Sequence, residues 1–82
     1  MRYSVYIVQC SDGTYYTGIA LDVAKRLYEH NNSPKGARYT RTRRPVSLVY
    51  AESCPDRSSA LKREYAIKRM SRARKSALIE EK

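Results

Sequence analysis

Residues 3–31, YSVYIVQCSDGTYYTGIALDVAKRLYEHN, constrain the fold more than any other stretch of this chain. Residues 3–10 are rich in Val, Ile and Tyr, side chains that suit a pleated, half-buried surface. Ser11, Asp12 and Gly13 follow with turn chemistry, since Gly adopts positive φ cheaply and Asp bonds its own backbone. A second β-prone run, residues 14–19, returns against the first and contains Gly18. Asp22 is placed to cap a helix over residues 22–31 by accepting from an otherwise unpartnered N–H. A hairpin therefore feeds a helix within thirty residues. Tyr6 and Tyr16 fall one on each strand, and Arg26 and His30 share one side of the helix.

Beyond the helix lies NNSPKGARYTRTRRP, punctuated by Pro34, Gly36 and Pro45. It is long for a connection in so small a domain, a length that usually marks a functional or mobile segment. Residues 46–53, VSLVYAES, read as a third strand that ends at Pro55. Asp56 or Ser58 caps a second long helix reaching about residue 70. Ser71 caps a last short helix anchored by Leu78 and Ile79. The order β-β-α-β-α-α gives an α+β fold: a small three-stranded, mainly antiparallel sheet flanked by helices. At 82 residues the expectation is a single domain spanning 1–82.

Charge narrows the class of partner. Seventeen Lys and Arg oppose eight Asp and Glu, a formal charge of +9. Residues 35–44, KGARYTRTRR, hold five cations and no anion, and residues 57–75 hold eight cations against Glu64. Such a field attracts polyanions, nucleic acid above all, although a plain solvated basic face has the same composition. Lys35, Arg38, Arg41, Arg43 and Arg44 are the expected phosphate contacts. Phosphate contacts position a substrate without reading its sequence. No run approaches the roughly 18 apolar residues of a membrane helix, and the N-terminus is a poor secretory signal. Cys10 and Cys54 lack metal spacing and read as buried thiols of a reducing cytoplasm.

Glu64 is the most informative single residue. On a helix, Ala60, Leu61, Tyr65 and Ile67 define a buried face, and Glu64 falls within that arc. An inward carboxylate is costly unless it is paired, for instance with Arg26, or bound to a metal. On the first helix Val23, Ala24 and Leu27 face the core, and His30 lies at the edge of their stripe with Arg26 one turn before it. Either could equally be an ordinary surface residue. Tyr6 and Tyr16 alone are explained by packing, because tyrosine supplies every aromatic ring in the chain.

As an ordered set, these residues resemble the GIY-YIG nuclease domain. Ser4-Val5-Tyr6 matches the first motif and Tyr16-Thr17-Gly18 the second. Arg26, followed by His30, matches the arginine of the first helix, and Glu64 the metal-binding glutamate. The likeness covers nearly the whole chain and is closest to the small stand-alone bacterial members. Ser4, Val5 and Thr17 depart from the motif letters, and Ile19 and Ala20 stand where some members carry a lysine. The resemblance implies a metal-dependent endonuclease that hydrolyses phosphodiesters in nucleic acid. The expected substrate is DNA more than RNA, chosen by structure over sequence because nothing in the chain offers base-specific readout and the domain is small. The resemblance also implies one Mg²⁺ or Mn²⁺ held by Glu64 and waters, and an Arg26 clamp on the phosphate. The general base stays open among Tyr6, Tyr16 and His30. Gly18 is the structural residue of the motif, allowing close backbone approach. A non-catalytic nucleic-acid-binding module and an adaptor docking on an acidic partner are the competing readings.

Overall fold

The computed structural model describes residues 2–81. Its elements are β1 (Tyr3–Gln9), β2 (Tyr15–Ala20), α1 (Val23–Asn32), α2 (Arg38–Arg41), β3 (Ser47–Cys54), α3 (Arg57–Lys68) and α4 (Arg72–Glu80). The strands form one sheet of order β2-β1-β3, antiparallel throughout. This is the expected α+β architecture, with element ends shifted by a residue or two.

Local chemistry sets those ends. Gly13 takes φ 85° in the hairpin turn, where Asp12 Oδ1 accepts from Thr14 N at 3.1 Å and from Thr14 Oγ1 at 2.6 Å. Asp22 caps α1 by accepting from Lys25 N at 3.0 Å. Asp56, of the two candidates, caps α3 through Ser59 N at 2.7 Å, and Ser71 caps α4 through Arg74 N at 3.1 Å.

The central strand departs from the half-buried expectation. Val5, Tyr6, Ile7 and Val8 are all buried, because helices cover both faces of the sheet. Val5 and Ile7 pack with Tyr50, Cys54, Ala60 and Ile67 beneath α3, with Leu78 and Ile79 of α4 at the margin. Tyr6 and Val8 pack on the other face with Cys10 and Val46, against Val23 and Leu27 of α1. Each fully buried aliphatic chain here contributes roughly 1.5–3 kcal/mol relative to exposure. Cys10 and Cys54 are both buried and free, one in each core.

Three further expectations are corrected. On α3 only Ala60 and Ile67 are fully buried, whereas Leu61 is 37% and Tyr65 62% exposed. The sheet meets this helix along the line 60–64–67, and residues 61 and 65 lie a further 100° round it. On α1 Ala24 is exposed, while His30, expected at the edge of the apolar stripe, is the one fully buried residue. The stripe is Val23, Leu27 and His30, at the 4–3 spacing of a narrow helical seam.

The third correction concerns the connection between α1 and β3, which is a pinned flap. Its residues 38–41 form α2, and Thr40 within it is fully buried. Asn31 clasps Val46, donating to its carbonyl at 3.0 Å and accepting from its N–H at 2.7 Å. Gly36 touches α1 so closely that a Cβ there would lie 2.6 Å from Glu29 O and 2.9 Å from His30 Cα.

Candidate active site

Tyr6 of β1 pairs across the sheet with Gly18 of β2. A Cβ at position 18 would sit 2.6 Å from Tyr6 Oη and 2.8 Å from its Cζ, so the glycine opens the floor on which the phenol lies. The phenol thereby reaches α1, and its Oη is 2.7 Å from His30 Nε2. The other imidazole nitrogen, Nδ1, is 2.9 Å from Thr40 Oγ1 in α2. Tyr16, on the same sheet face, meets the His30 ring edge-on at 5.3 Å and stacks on Tyr39 at 5.9 Å.

Arg26, one turn before His30, completes the cluster. Its Nη1 donates to Glu29 Oε1 at 3.1 Å and to the Lys35 carbonyl at 2.8 Å. The side chain stays 28% exposed and lines an open groove of about 280 Å³ with Ile19, Asp22 and Lys25. Burial opposes its charge, but Glu29 and the adjoining Tyr6 phenol outweigh that and raise its pKa.

The two buried partners are driven apart in acidity. Burial, reinforced by Tyr16, pushes the Tyr6 phenol up to about 12, with Arg26 pulling the other way. Burial, reinforced by the charge of Arg26, lowers His30 to about 4. At neutral pH the pair is therefore phenol and neutral imidazole. Arg26 does pull the phenol toward ionisation, but desolvation wins.

Glu64 stands outside this hydrogen-bonded cluster. It sits on the inner line of α3 with an 18% exposed side chain, and Lys68 Nζ, not Arg26, is its ion-pair partner at 3.3 Å. Its charge reaches Tyr6 only as the smallest of the contributions that raise the phenol's pKa. Among the described residues no group of three or more His, Cys, Asp or Glu could hold a metal. A lone inward carboxylate still fits a hard divalent ion whose remaining ligands are waters and substrate oxygens.

The five flap cations take different positions. Lys35 and Arg38 are exposed. Arg41, also exposed, donates to the Pro34 carbonyl at 2.7 Å. Arg43 bridges to Asp12 Oδ2 at 3.0 Å and to the Tyr39 carbonyl at 2.8 Å, and lies 4.0 Å over the Tyr39 ring. Arg44 donates to the carbonyls of His30, Ser33 and Glu29, closing the C-terminus of α1. Sequence reasoning missed Thr40 and Tyr39 as members of the cluster. Nothing in the flap's composition announces that a threonine ten residues on meets His30; only Gly36, read as punctuation, hinted that the flap folds back.

A buried Tyr–His pair with an adjacent arginine, on a three-stranded sheet and its first helix, defines a class. The model of the GIY-YIG catalytic domain matches residues 2–77, and the chain belongs to that family. Nucleases of this family generally use a divalent metal ion. Within the family its similarity is to UPF0213 proteins. One from Desulfotalea psychrophila is 67% identical over 75 residues, covering 92% of this chain and 68% of that one. One from Staphylococcus saprophyticus is 54% identical over 80 residues, covering 98% and 96%. The solution NMR structure of a UPF0213 protein from Bacillus halodurans superposes with a TM-score of 0.65 at 43% identity, over all of this chain and 86% of that one.

Proposed function

We propose that this protein is a metal-dependent endonuclease that hydrolyses phosphodiester bonds in DNA, selecting structure over sequence. The observation that carries the reading is the 2.7 Å contact between the Tyr6 phenol and His30, beside Arg26 at a groove of a +9 chain. A scissile phosphate in the groove lies against the Arg26 guanidinium, which offsets charge developing on its oxygens. Attack requires a water to lose its proton. The phenol relays it: Tyr6 Oη takes the proton from water as its own passes to the neutral His30 ring, so no free phenolate forms. Tyr16, stacked on Tyr39 and set against the same imidazole, orients the water.

Glu64 would hold the divalent ion, Mg²⁺ or Mn²⁺, whose charge stabilises the scissile phosphate and the departing oxygen. Exchanging Lys68 for the ion as the partner of Glu64 is compatible with a 3.3 Å i,i+4 pair whose lysine is half exposed to water. Lys35, Arg38 and Arg41 offer exposed cations for the phosphate backbone. Arg43 and Arg44 hold the flap that carries them. Cys10 and Cys54, buried and unpaired, fit a reducing cytoplasm. Among the described residues no helix is long and apolar enough to cross a membrane.

The test is cleavage of labelled single-stranded, duplex and branched DNA with Mg²⁺ or Mn²⁺, with EDTA, and with Glu64→Ala. Cleavage that is strongest on branched or single strands, and is lost with EDTA and in the variant, is the expected result. Cleavage that survives both would overturn the site assignment. Tight binding without turnover under every condition would favour a binding module, with Glu64 and Lys68 then a structural ion pair.

A further inference from the structure

Thr40 is buried completely in a flap rich in polar and basic residues, and its burial takes a hydroxyl out of water along with a single methyl group. Its hydroxyl oxygen lies 2.9 Å from His30 Nδ1 and 2.9 Å from the Ala37 carbonyl oxygen. A hydroxyl has one proton and two lone pairs. Two oxygens at that distance need a proton between them, and a carbonyl has none to give. The Thr40 proton therefore goes to Ala37, and the hydroxyl meets His30 as an acceptor.

We propose that Thr40 is a positioning residue: it accepts a hydrogen bond from His30 Nδ1–H and so leaves Nε2 with the lone pair that takes the Tyr6 proton. The proton wire then has one polarity, from Tyr6 Oη to Nε2 of His30, with Nδ1–H to Thr40 Oγ1 and Thr40 O–H to the Ala37 carbonyl. The reverse arrangement leaves Nδ1 bare, with Ala37 N–H 3.5 Å away as a donor. It forces the Thr40 and Ala37 oxygens together unshielded and turns an Nε2–H toward the phenol, which blocks the transfer. In neutral imidazole the nitrogen that carries the proton is set by the partner of the other, and here α2 supplies that partner. The flap is thus part of the acid–base machinery, held to the back of the histidine by Gly36 and Arg44.

The inference rests on reading Tyr6 and His30 as the proton-transfer pair, and its test separates the two. His30 is the only histidine, so ¹⁵N-labelled imidazole gives an unambiguous two-bond ¹H–¹⁵N spectrum. At pH 7.5 the wild type should show a protonated Nδ1 and a bare Nε2. Thr40→Val, which keeps the shape and removes the hydroxyl, should move the ring toward the Nε2–H form or a mixture. Thr40→Ser should restore the wild-type pattern. A wild type protonated at Nε2, or a spectrum indifferent to Thr40→Val, overturns the proposal, and should Thr40→Val not fold, the wild-type and Thr40→Ser spectra still decide it.

On DNA, Thr40→Val should cut turnover roughly 10- to 100-fold with KM held, the range found when a hydrogen-bond partner that orients a metal-bound imidazole is removed. Thr40→Ser should recover it. Turnover unchanged while the tautomer shifts would overturn the positioning role. A wild type that cleaves nothing would sink the nuclease reading, and the spectrum would still decide the hydrogen-bond assignment.

Discussion

His30 and Tyr6 owe their properties to burial on one face of the sheet, and a measurable acid response follows. The unfolded imidazole takes a proton near 6.5, the folded one only near 4. Between those values the unfolded state binds more protons, so stability rises with pH there and is lost as pH falls from 6.5 toward 4. A shift of this size corresponds to a loss of order 3 kcal/mol at about 1.36 kcal/mol per pKa unit. Asp12, Asp56 and Glu52 have carboxyls held below their ordinary values of 3.8, 3.8 and 4.5, so their stabilisation is lost only lower down. Urea melts at pH 7 and 5 should differ in wild type and agree in a folded His30→Gln variant; a flat wild-type response would contradict the buried neutral ring. At Gly18, an added methyl meets a phenol that is itself fully buried and cannot swing aside. Gly18→Ala should cost about 1–3 kcal/mol from overpacking and lose cleavage, because the Tyr6–His30 contact is displaced. Wild-type stability and activity in that variant would show that the ring yields. The two tyrosines, the arginine and the histidine were legible as a spaced set. The depth of His30 was not, because what buries it is a polar segment that no periodicity assigns to the core.

Among the elements, the hairpin, α1, α3 and α4 followed from patterns that act within a few residues: runs of β-prone side chains, a turn glycine and three side-chain caps. The four-residue α2 has no side-chain cap and no amphipathic repeat, so it was invisible. It exists because Gly36 lets the chain lie on α1 and Arg44 ties it down. The exposed line of Leu61 and Tyr65 was misplaced for a related reason: an apolar residue one step round a helix looks identical in sequence to one that faces the sheet. The flap also divides its arginines by job, and that division can be measured. Arg44→Ala leaves carbonyls of the last turn of α1 without their charged donor and should lower stability by about 1.5–3 kcal/mol. It should leave the salt dependence of DNA binding nearly unchanged. Arg38→Ala should do the opposite, leaving the melting temperature alone and reducing the slope of log K against log salt by about 0.7–0.9, the value of one phosphate contact. A reversal of the two patterns would show that Arg44, not Arg38, meets the backbone of the nucleic acid.

For the molecule as a whole, one sheet separates two small cores and belongs to both. Residues 3–10 announced a strand, but the overall order of elements had to be assembled before it was clear that helices would close over both sides of it. Each core alone is small for independent stability, and β1 supplies residues to each. We propose that the chain unfolds as a single unit, with near- and far-ultraviolet melts superimposing; separate transitions for the two faces would refute this. The placement of β1 also fixes where the molecule opens last. Its amide protons lie between two antiparallel neighbours and under helices on either side. They can reach water only when the sheet itself comes apart. In deuterated buffer the β1 amides of Val5 to Val8 should therefore exchange at the rate of complete unfolding, while the ends of β2 and β3 exchange through smaller openings. The strand that carries Tyr6 would then serve as the clock by which the stability of the entire fold is read.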